Sequence, residues 1–356
     1  MKAGLMLDVG SFAVEDVDVL APGSHDVVVR IGASGVCHSD VSVLTGVAGL
    51  AGPMALGHEA AGTVEWIGSD VTRVKPGDRV IACLTPVCNN CWNCTRGETH
   101  LCEEGFAFAF QPRLVRDDGE QVPCLSGLGT FAETMTVHEW SLVPVFTELP
   151  DVQLALLGCG VTTGLGAVLN TARPPVGASI VVIGLGGVGT AALQGARIGG
   201  AGTLVAVDPV PAKREAAVAL GATHVVDPGE APIAQQIRSI TGGRGADFVF
   251  EAVGNTALVE EAMAATRRGG TTVIVGSPPQ GATVPIVPAS MLIEDRSIRA
   301  SFYGATQALR DLPRYIHLVE SGRLDLSSMV SRQIGLADVG AALAGIGGEE
   351  IRTVVV

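Results

Sequence analysis

Short β-rich apolar segments, separated by turn signals, dominate the hydrophobic pattern of the first 150 residues. Three of them are Val27–Ala33, Gly62–Ile67 and Arg79–Leu84. Pro22-Gly23 and Pro76-Gly77 are the turn signals between them. This part of the chain is therefore predicted to be a β-rich domain.

From about residue 179 the pattern changes to short apolar runs that alternate with helical stretches rich in Ala and Leu. The runs are Ile180–Ile183, Thr203–Val207, His224–Val226, Phe248–Phe250 and Thr272–Val275. Such alternation is typical of a parallel sheet with helices on both faces, because each parallel connection needs a crossover. The predicted fold class is α/β, with a doubly wound parallel sheet.

After about residue 300 the chain leaves this alternation of strands and helices. The pattern predicts a helix over Gln307–Glu320. It then predicts two strands, Val330–Ile334 and Arg352–Val356, with a second short helix between them. These strands have no obvious continuation in the parallel sheet, so we assign them to the first domain. The predicted division is residues 1–160 with 301–356 for the β-rich domain, and 161–300 for the parallel-sheet domain.

Two uncharged windows, Val152–Ala172 and Pro174–Ala196, match the length of about 20 residues that a membrane span requires. The second window reads as a β-branched strand followed by a small-residue helix, and buried parallel strands give such continuous apolar runs. We therefore expect no membrane span. The first 18 residues include four acidic side chains where a secretory signal has a basic and then an apolar run, so we expect a cytoplasmic protein.

The composition narrows the function classes. The chain has 356 residues, which predicts about two domains. Its 36 acidic residues outnumber 23 basic ones, for a net charge of −13. An acidic surface repels phosphate backbones and anionic lipid, so nucleic-acid binding is not expected.

Half of the eight cysteines fall within fifteen residues. Cys88, Cys91, Cys94 and Cys102 supply four soft ligands in one loop. Four thiolates around tetrahedral zinc leave no open position, so this spacing predicts a structural zinc site. The alternative, four unligated thiols, would be a redox liability.

A glycine-rich turn follows the first apolar run of the parallel-sheet region. Gly184, Gly186 and Gly189 have the spacing of a dinucleotide fingerprint, with Gly187 and Val188 between the last two. Asp208 ends the next predicted strand, where an acidic side chain accepts hydrogen bonds from the adenosine ribose and repels a 2′-phosphate. The motif predicts NAD(H) rather than NADP(H); the alternative is a glycine-rich helix start that serves packing only.

Three further residues form a second candidate metal site. Cys37, His58 and Cys159 are each weak signals, but two thiolates and one imidazole are a ligand set of catalytic zinc, which leaves a fourth position open. Asp40 is a candidate acceptor for the distal nitrogen of His58. The sequence alone does not establish that these residues converge.

In combination, these motifs resemble the zinc-dependent medium-chain alcohol dehydrogenases over the whole chain. The matching segments are Cys37-His38-Ser39-Asp40, Gly57-His58-Glu59-Ala60-Ala61-Gly62, the four-cysteine loop, Gly158-Cys159-Gly160, the glycine fingerprint with Asp208, and Ile351-Arg352-Thr353. Within the family, Leu156–Val161 and Ser301–Gly304 are most similar to the actinobacterial branch near the mycothiol-dependent formaldehyde dehydrogenases.

The resemblance implies a GroES-like catalytic domain, a Rossmann cofactor domain, two zinc ions per chain and a homodimer or homotetramer. It implies zinc on Cys37, His58 and Cys159, Glu59 as a nearby or transient ligand, and a proton relay that starts at Ser39. The other implied residues are His38 and Arg352 near the pyrophosphate, Lys213 near the ribose, and Thr163, Val188, Val253 and Val275 around the cofactor. A solvated loop histidine is the alternative for His38, and ordinary surface charge is the alternative for Arg352 and Lys213.

The chain departs from the family pattern at two places. Ser42 stands where many relatives have a relay histidine, so the last proton step passes through water or another base. Leu84 stands where relatives often have a bulky aromatic residue, and Ser277 replaces a larger residue, so we expect a roomier inner pocket. On this hypothesis Leu84→Trp selectively lowers the turnover of bulky alcohols.

Three interpretations of function follow. The leading one is reversible hydride transfer between NAD and a primary alcohol or aldehyde, aromatic or medium-chain. The second is oxidation of the adduct of formaldehyde with a small thiol, mycothiol or glutathione, with nitrosothiol reduction as a related activity. In that case Arg113 and Arg116 meet an anionic substrate tail, unless they are solvated loop charges. The third is a retired enzyme kept as a cofactor-binding or structural protein, which the presence of all seven zinc ligands disfavours.

Overall fold

The computed structural model describes residues 1–356. The strands are β1 (Lys2–Asp8), β2 (Ser11–Asp16), β3 (Asp18–Val19), β4 (Asp26–Gly35), β5 (Met54–Ala55), β6 (Ala60–Ile67), β7 (Arg79–Ala82), β8 (Pro112–Val115), β9 (Gln121–Pro123), β10 (Thr134–His138), β11 (Leu142–Pro144), β12 (Ser179–Ile183), β13 (Thr203–Val207), β14 (His224–Val226), β15 (Ala246–Glu251), β16 (Thr266–Ile274), β17 (Ser297–Ala300), β18 (Val330–Ile334) and β19 (Arg352–Val355).

The α-helices are α1 (His38–Leu44), α2 (Trp92–Thr95), α3 (Asp151–Leu154), α4 (Gly160–Gly166), α5 (Gly187–Ile198), α6 (Pro211–Ala219), α7 (Ile233–Ile240), α8 (Thr256–Ala265), α9 (Pro288–Glu294), α10 (Ala308–Glu320) and α11 (Val339–Ala344). Short 3-10 helices span Thr99–Leu101, Gly105–Phe108, Leu125–Gly127, Glu139–Ser141, Ala155–Gly158, Phe302–Ala305 and Leu336–Asp338, and Ala167–Ala172 is a π-helix that continues α4.

Six strands form one wholly parallel sheet, in the order β14-β13-β12-β15-β16-β17. Its central strands are continuous apolar runs because both faces are covered by helices. The sequence predicted five of these strands and missed β17. Only Ile298 of this short edge strand is apolar and bulky, and most of the strand is exposed, so no buried run announces it.

The remaining strands form three sheets. The largest has the order β11-β7-β6-β4-β19-β18, with β10 also paired to β4. Here β19 lies parallel to β18 and antiparallel to β4, with Val354 opposite Gly35. The structure therefore places both C-terminal strands beside the strands of the first 150 residues. The predicted α/β class, a GroES-like sheet domain with a Rossmann sheet domain, is confirmed.

The helical segment from Asp151 to Ala172 connects the two parts of the chain. Leu156, Leu157 and Leu165 belong to a core cluster of 22 buried residues that also receives Leu312 of α10. Helix α4 packs closely on α5, and a Cβ at Gly164 would overlap the carbonyl oxygen of Val188. This packing brings the segment around residue 159 next to the glycine-rich turn.

No single helix combines the length and the apolar composition that a membrane span requires; the consecutive helices Asp151–Gly158 and Gly160–Ala172 meet both criteria only when taken together, and they are bent by 57°.

Candidate active site

Three chain segments bring a buried cluster of ligand atoms together. Cys37 follows β4 and precedes α1, His58 precedes β6, and Cys159 lies between a 3-10 helix and α4. Their ligand atoms, together with a carboxylate oxygen of Glu59, all lie within 4.8 Å of one another. All four side chains are buried, so the cluster is a closed group of soft and imidazole ligands.

Asp40 orients the imidazole of this cluster. This fully buried residue lies in the first turn of α1 and accepts hydrogen bonds from the backbone N–H groups of Cys37 (3.2 Å) and Gly57 (2.9 Å). Its Oδ1 also lies 3.1 Å from Nδ1 of His58. Because an ionised carboxylate only accepts, Nδ1 donates to it, and in the neutral imidazole the lone pair is therefore on Nε2. Nε2 is buried and has no hydrogen-bond partner.

The electrostatics of the cluster favour a cation. The hydrogen bond from Cys159 lowers the pKa of Cys37 well below its usual value, with help from the charges of His58 and Arg352 and against the effect of burial. Burial lowers the pKa of His58, but the charges of Asp40 and Cys37 outweigh it and raise that pKa well above its usual value. The Cys37 thiolate is therefore favoured, and a divalent ion bound between Cys37 and His58 would balance its charge.

Glu59 and Arg352 connect this cluster to the glycine-rich turn. Burial raises the pKa of Glu59 to about 7, although the Arg352 guanidinium opposes the shift. One Glu59 oxygen accepts the N–H of Gly160 at 3.2 Å, and the other accepts from Nη2 of Arg352. The Arg352 side chain also packs on Gly187, where a Cβ would overlap it. The guanidinium is therefore fixed between the ligand cluster and the start of α5.

The donor set fits zinc. Two thiols, one imidazole with an unpaired buried nitrogen and an adjacent carboxylate are the ligands that catalytic zinc uses when a fourth position stays open. Cys37, His58 and Cys159 would hold the ion, and Asp40 would hold the ligand histidine.

The four-cysteine loop fits a second zinc ion. The Sγ atoms of Cys88 and Cys94 lie 3.9 Å apart, and those of Cys91 and Cys102 lie 4.0 Å apart. A tetrahedral ion about 2.3 Å from each sulfur sets sulfurs roughly 3.8 Å apart. Backbone N–H groups of Cys88 (3.4 Å) and Gly105 (3.3 Å) also point at the Cys102 sulfur, which suits a thiolate.

A cleft of about 340 Å³ lies beside the glycine-rich turn. Its lining includes Cys37, His38, Gly184, Gly186, Gly187, Val188, Asp208, Lys213, Val253 and Arg352. Gly189 does not line the cleft, because it lies against the backbone of Gly184, with no room for a Cβ. Asp208 accepts the N–H groups of Leu185 (2.8 Å) and Val210 (2.9 Å), which places its carboxylate at the cleft edge of the sheet. We call this cavity the cofactor cleft.

A second cavity of about 280 Å³ opens onto the ligand cluster. Among the sequence-predicted residues it is lined by Cys37, His38, Ser39, His58, Cys159, Thr163, Val188, Val253 and Val275. Ser42, Leu84 and Ser277, the departures from the family pattern, line it too. We call it the reaction cavity; it shares Cys37, His38, Val188, Ala252 and Val253 with the cofactor cleft.

Several lining residues were not foreseen from the sequence. Ala252 lines both cavities, and Ile346, Gly347 and Thr353 line the cofactor cleft. Ala252, Ile346 and Gly347 lie in loops outside any motif, whereas Thr353 lies in β19. All four line these cavities because strand ends that are distant in the sequence lie side by side. Of these, only Thr353 stood in a quoted motif, beside Arg352.

Arg113 and Arg116 are engaged elsewhere. Arg113 pairs with Asp26 at 2.6 Å, and Arg116 pairs with Glu15 at 3.0 Å. Neither lines the reaction cavity or the cofactor cleft. Both guanidiniums are therefore held in ion pairs away from the two cavities, which matches neither a contact with a substrate tail nor a solvated loop charge.

Two family descriptions match the chain. Residues 187–321 match "Zinc-binding dehydrogenase", and residues 23–150 match "Alcohol dehydrogenase GroES-like domain". Among curated relatives, the S-(hydroxymethyl)glutathione dehydrogenase of Paracoccus denitrificans is 34% identical, with 99% of each chain covered. The class-3 alcohol dehydrogenase of Cereibacter sphaeroides is 32% identical, with 100% of this chain and 99% of that one covered.

Solved structures superpose closely on the chain. The alcohol dehydrogenase zinc-binding domain protein from Burkholderia ambifaria has a TM-score of 0.93 at 32% identity, and benzyl alcohol dehydrogenase from Acinetobacter calcoaceticus has 0.92 at 28%. Both matches cover 99% of this chain and 98% of the other. A zinc-binding dehydrogenase from Sinorhizobium meliloti 1021, bound to NADP, has a TM-score of 0.84 at 28% identity. That match covers 100% of this chain and 98% of the other.

Proposed function

Since this chain belongs to the zinc-dependent medium-chain alcohol dehydrogenases, we propose that it catalyses reversible hydride transfer between NAD and a primary alcohol or aldehyde with an aromatic or medium-length chain. The observation that carries the proposal is the convergence of two sites. The buried Cys37–His58–Cys159 cluster opens onto a cavity that shares lining residues with the cofactor cleft. The substrate carbon and the nicotinamide can therefore meet in one place.

Two zinc ions and NAD(H) complete the proposal, with one ion in each cysteine-containing cluster. When bound, the ion of the reaction cavity supplies Lewis acidity, and the nicotinamide supplies the hydride acceptor. The residues of the chain orient the alcohol, exclude water and move the proton of the alcohol hydroxyl. Leu84, Val188 and Val275 give the cavity apolar walls that keep bulk water away from the reacting carbon.

The proton leaves through exposed residues of α1. Ser39 lines the reaction cavity and is exposed, so it can take the hydroxyl proton and pass it outward. The Ser42 hydroxyl donates to the carbonyl oxygen of His38 at 3.1 Å, so its own proton is engaged. We therefore propose that the proton passes from Ser39 to the exposed His38 ring or to water.

Preference for NAD over NADP rests on Asp208. Its buried carboxylate stands at the end of β13 and would repel a 2′-phosphate. Lys213 lines the cleft beside Asp208 and is the residue that the family resemblance places near the ribose. The neighbouring Arg214 pairs with Asp227 at 2.9 Å and donates to the Asp208 carbonyl oxygen. That guanidinium is therefore not free to receive a phosphate.

A thiol-dependent activity is the second candidate, because relatives such as the Paracoccus protein are named S-(hydroxymethyl)glutathione dehydrogenase. The glutathione adduct, a tripeptide, carries carboxylates that need a cation. The reaction cavity has no Lys or Arg in its lining, and Arg113 and Arg116 are paired with acidic side chains. We therefore rank this candidate second.

We also propose a cytoplasmic homo-oligomer. All eight cysteines are free thiols, which suits a reducing compartment. Ile286, Val287, Leu292 and Ile293 are all more than half exposed, and β17 beside them pairs only with β16. Such an apolar edge is expected to pack on a second copy. Ile293→Asp should shift the mass measured by light scattering toward the monomer, whereas Phe146→Asp, at another exposed apolar residue, should not.

The deciding experiment compares NADH formation from formaldehyde, with and without mycothiol or glutathione, with NADH formation from benzyl alcohol alone. Fast benzyl alcohol oxidation without a thiol effect supports the proposal. Strict thiol dependence with weak benzyl alcohol turnover would establish the second candidate. Zinc and NAD binding without turnover of any substrate would indicate the third interpretation, a cofactor-binding or structural protein that has lost its catalytic activity.

A further inference from the structure

An acidic side chain lines the cofactor cleft beside Arg352. Glu350 belongs to the lining and lies two residues before Arg352, the first residue of β19. It lies outside the glycine fingerprint and its associated Asp208, so dinucleotide binding does not require a carboxylate here. We propose that Glu350 repels the pyrophosphate of NAD(H) and thereby lowers the affinity of the cleft for the dinucleotide; this rests on the proposed function and adds to it a residue that sets cofactor affinity.

The position of the pyrophosphate follows from Arg352 and the start of α5. Nε of Arg352 is buried and has no hydrogen-bond partner, and the guanidinium lies so close to Gly187 that a Cβ there would overlap it. A buried cationic donor without a partner, next to the free N–H groups at the start of a helix, is an arrangement that receives a phosphate. Glu350 lines the same cleft two residues away, so its carboxylate is close to the place where the pyrophosphate binds.

The charged side chains of the cleft lining balance one another. The lining contains two acids and two bases: Asp208, Glu350, Lys213 and Arg352. Arg352 is also paired with the buried carboxylate of Glu59. A pyrophosphate with two negative charges therefore meets little net positive charge, and the backbone N–H groups at the start of α5 supply much of the attraction. Against this small balance, the removal of one nearby carboxylate changes the potential at the pyrophosphate appreciably.

Two contacts hold the Glu350 carboxylate at the cleft. Its Oε2 accepts a hydrogen bond from Oγ1 of Thr353, a buried residue that also lines the cleft. Its Oε1 lies 3.7 Å from Nη1 of Arg332, and both of these side chains are about half exposed. An exposed ion pair of this kind is weak and is screened by salt. Arg332 therefore neutralises the carboxylate only in part, and the rest of its charge acts on the cleft.

The test compares the Kd of ADP-ribose, which carries the pyrophosphate but no nicotinamide to react, with the Kd of adenosine, which lacks the pyrophosphate. Titration calorimetry at low salt measures both. Glu350→Gln keeps an acceptor for Thr353 and removes the charge, so the Kd of ADP-ribose should fall about fivefold, whereas that of adenosine should not change. Glu349→Gln is the matched control: this exposed carboxylate is next in the chain and does not line the cleft, so both Kd values should equal those of the parent.

Salt and a substitution of opposite sign give readouts that a merely structural role of Glu350 would not move. The Debye length falls from about 30 Å at about 0.01 M salt to about 3 Å at about 1 M. The advantage of Glu350→Gln in binding ADP-ribose should therefore shrink from about fivefold to less than about twofold over this range. Arg332→Gln removes the partial counter-charge of Glu350, so at low salt the Kd of ADP-ribose should rise by about twofold.

Three results would overturn the role of Glu350 while the alcohol dehydrogenase proposal stands. They are an equal Kd of ADP-ribose for the parent and Glu350→Gln at low salt, a difference that persists undiminished at high salt, and an equal gain in Glu349→Gln. The expected Kd values together with no turnover of any alcohol would instead overturn the proposed reaction and leave the role of Glu350 supported. A parent chain that binds neither ADP-ribose nor NADH would overturn both.

Discussion

Oδ1 of Asp40 lies 3.1 Å from Nδ1 of His58, and both side chains are buried beside two thiols. This pair fixes which imidazole nitrogen faces the thiols. Asp40→Asn keeps an acceptor but removes the charge, so zinc affinity of the reaction site should fall about 10- to 100-fold. Competition with a chromophoric chelator measures it. Asp18→Asn, at an exposed position of β3, is the control, and an equal loss in both variants would contradict the role of Asp40.

Substitution in the four-cysteine loop should separate stability from chemistry. In Cys94→Ser, metal content should fall from two zinc ions per chain to one, because four soft ligands become three. The melting temperature should drop by several degrees or more, since binding of structural zinc contributes directly to folding. Metal analysis and calorimetry check both. Cys124→Ala removes a buried thiol outside both clusters and should retain two ions; loss of zinc there would contradict the assignment.

His138 should make stability fall in mild acid. Burial and the charge of His25 lower the pKa of His138, whose Nδ1 accepts the N–H of Trp140 at 3.1 Å. Because the folded pKa lies below the unfolded value of about 6.5, the unfolded chain binds the proton first. This stability is present above about pH 6.5 and is lost as the pH falls, at up to about 1.4 kcal/mol per pH unit.

Urea midpoints at pH 7.5 and 5.5 test this. His138→Asn keeps an acceptor for Trp140 but does not titrate, so the difference between the two midpoints should shrink. His317→Asn, at an exposed histidine on α10, should leave the difference as it is in the parent. An identical pH dependence in parent and His138→Asn would show that other groups are responsible.

Asp208 should control the choice of cofactor. Asp208→Ser removes the charge that repels a 2′-phosphate, so the ratio of kcat/KM for NAD to that for NADP should fall by a factor of about 100. Glu230→Gln changes an exposed carboxylate nearby in sequence and should leave the ratio alone. A parent enzyme that prefers NADP would refute the argument at once.

The sequence predicted the elements whose signal is local. The runs Thr203–Val207 and His224–Val226 are strands with those same bounds, and the helix predicted over Gln307–Glu320 begins one residue later, at Ala308. Strand β16 begins at Thr266, six residues before the predicted Thr272. The added residues include Arg267, Arg268 and two glycines, whose pairing in the sheet no apolar run reveals.

The site could be predicted only where residue type itself has chemical meaning. Cysteine, histidine and glycine spacings pointed to Cys37, His58 and the glycine-rich turn. Ser126 could not be foreseen as a wall of the reaction cavity, because it is an ordinary residue that belongs to no motif and lies far from Leu84 and Phe302 in the chain. Its left-handed backbone is a property of tertiary packing.

The pairing of β4 with β19 sets an order of assembly during synthesis. At about 5 to 20 residues per second, Arg352 leaves the ribosome roughly 15 to 60 seconds after Gly35. All six strands of the parallel sheet are synthesised in that interval, while β4 still lacks β19 and Glu59 lacks the Arg352 guanidinium. The order of synthesis therefore allows the strands of the parallel sheet to pair while the sheet of β4 and β6 still waits for β19.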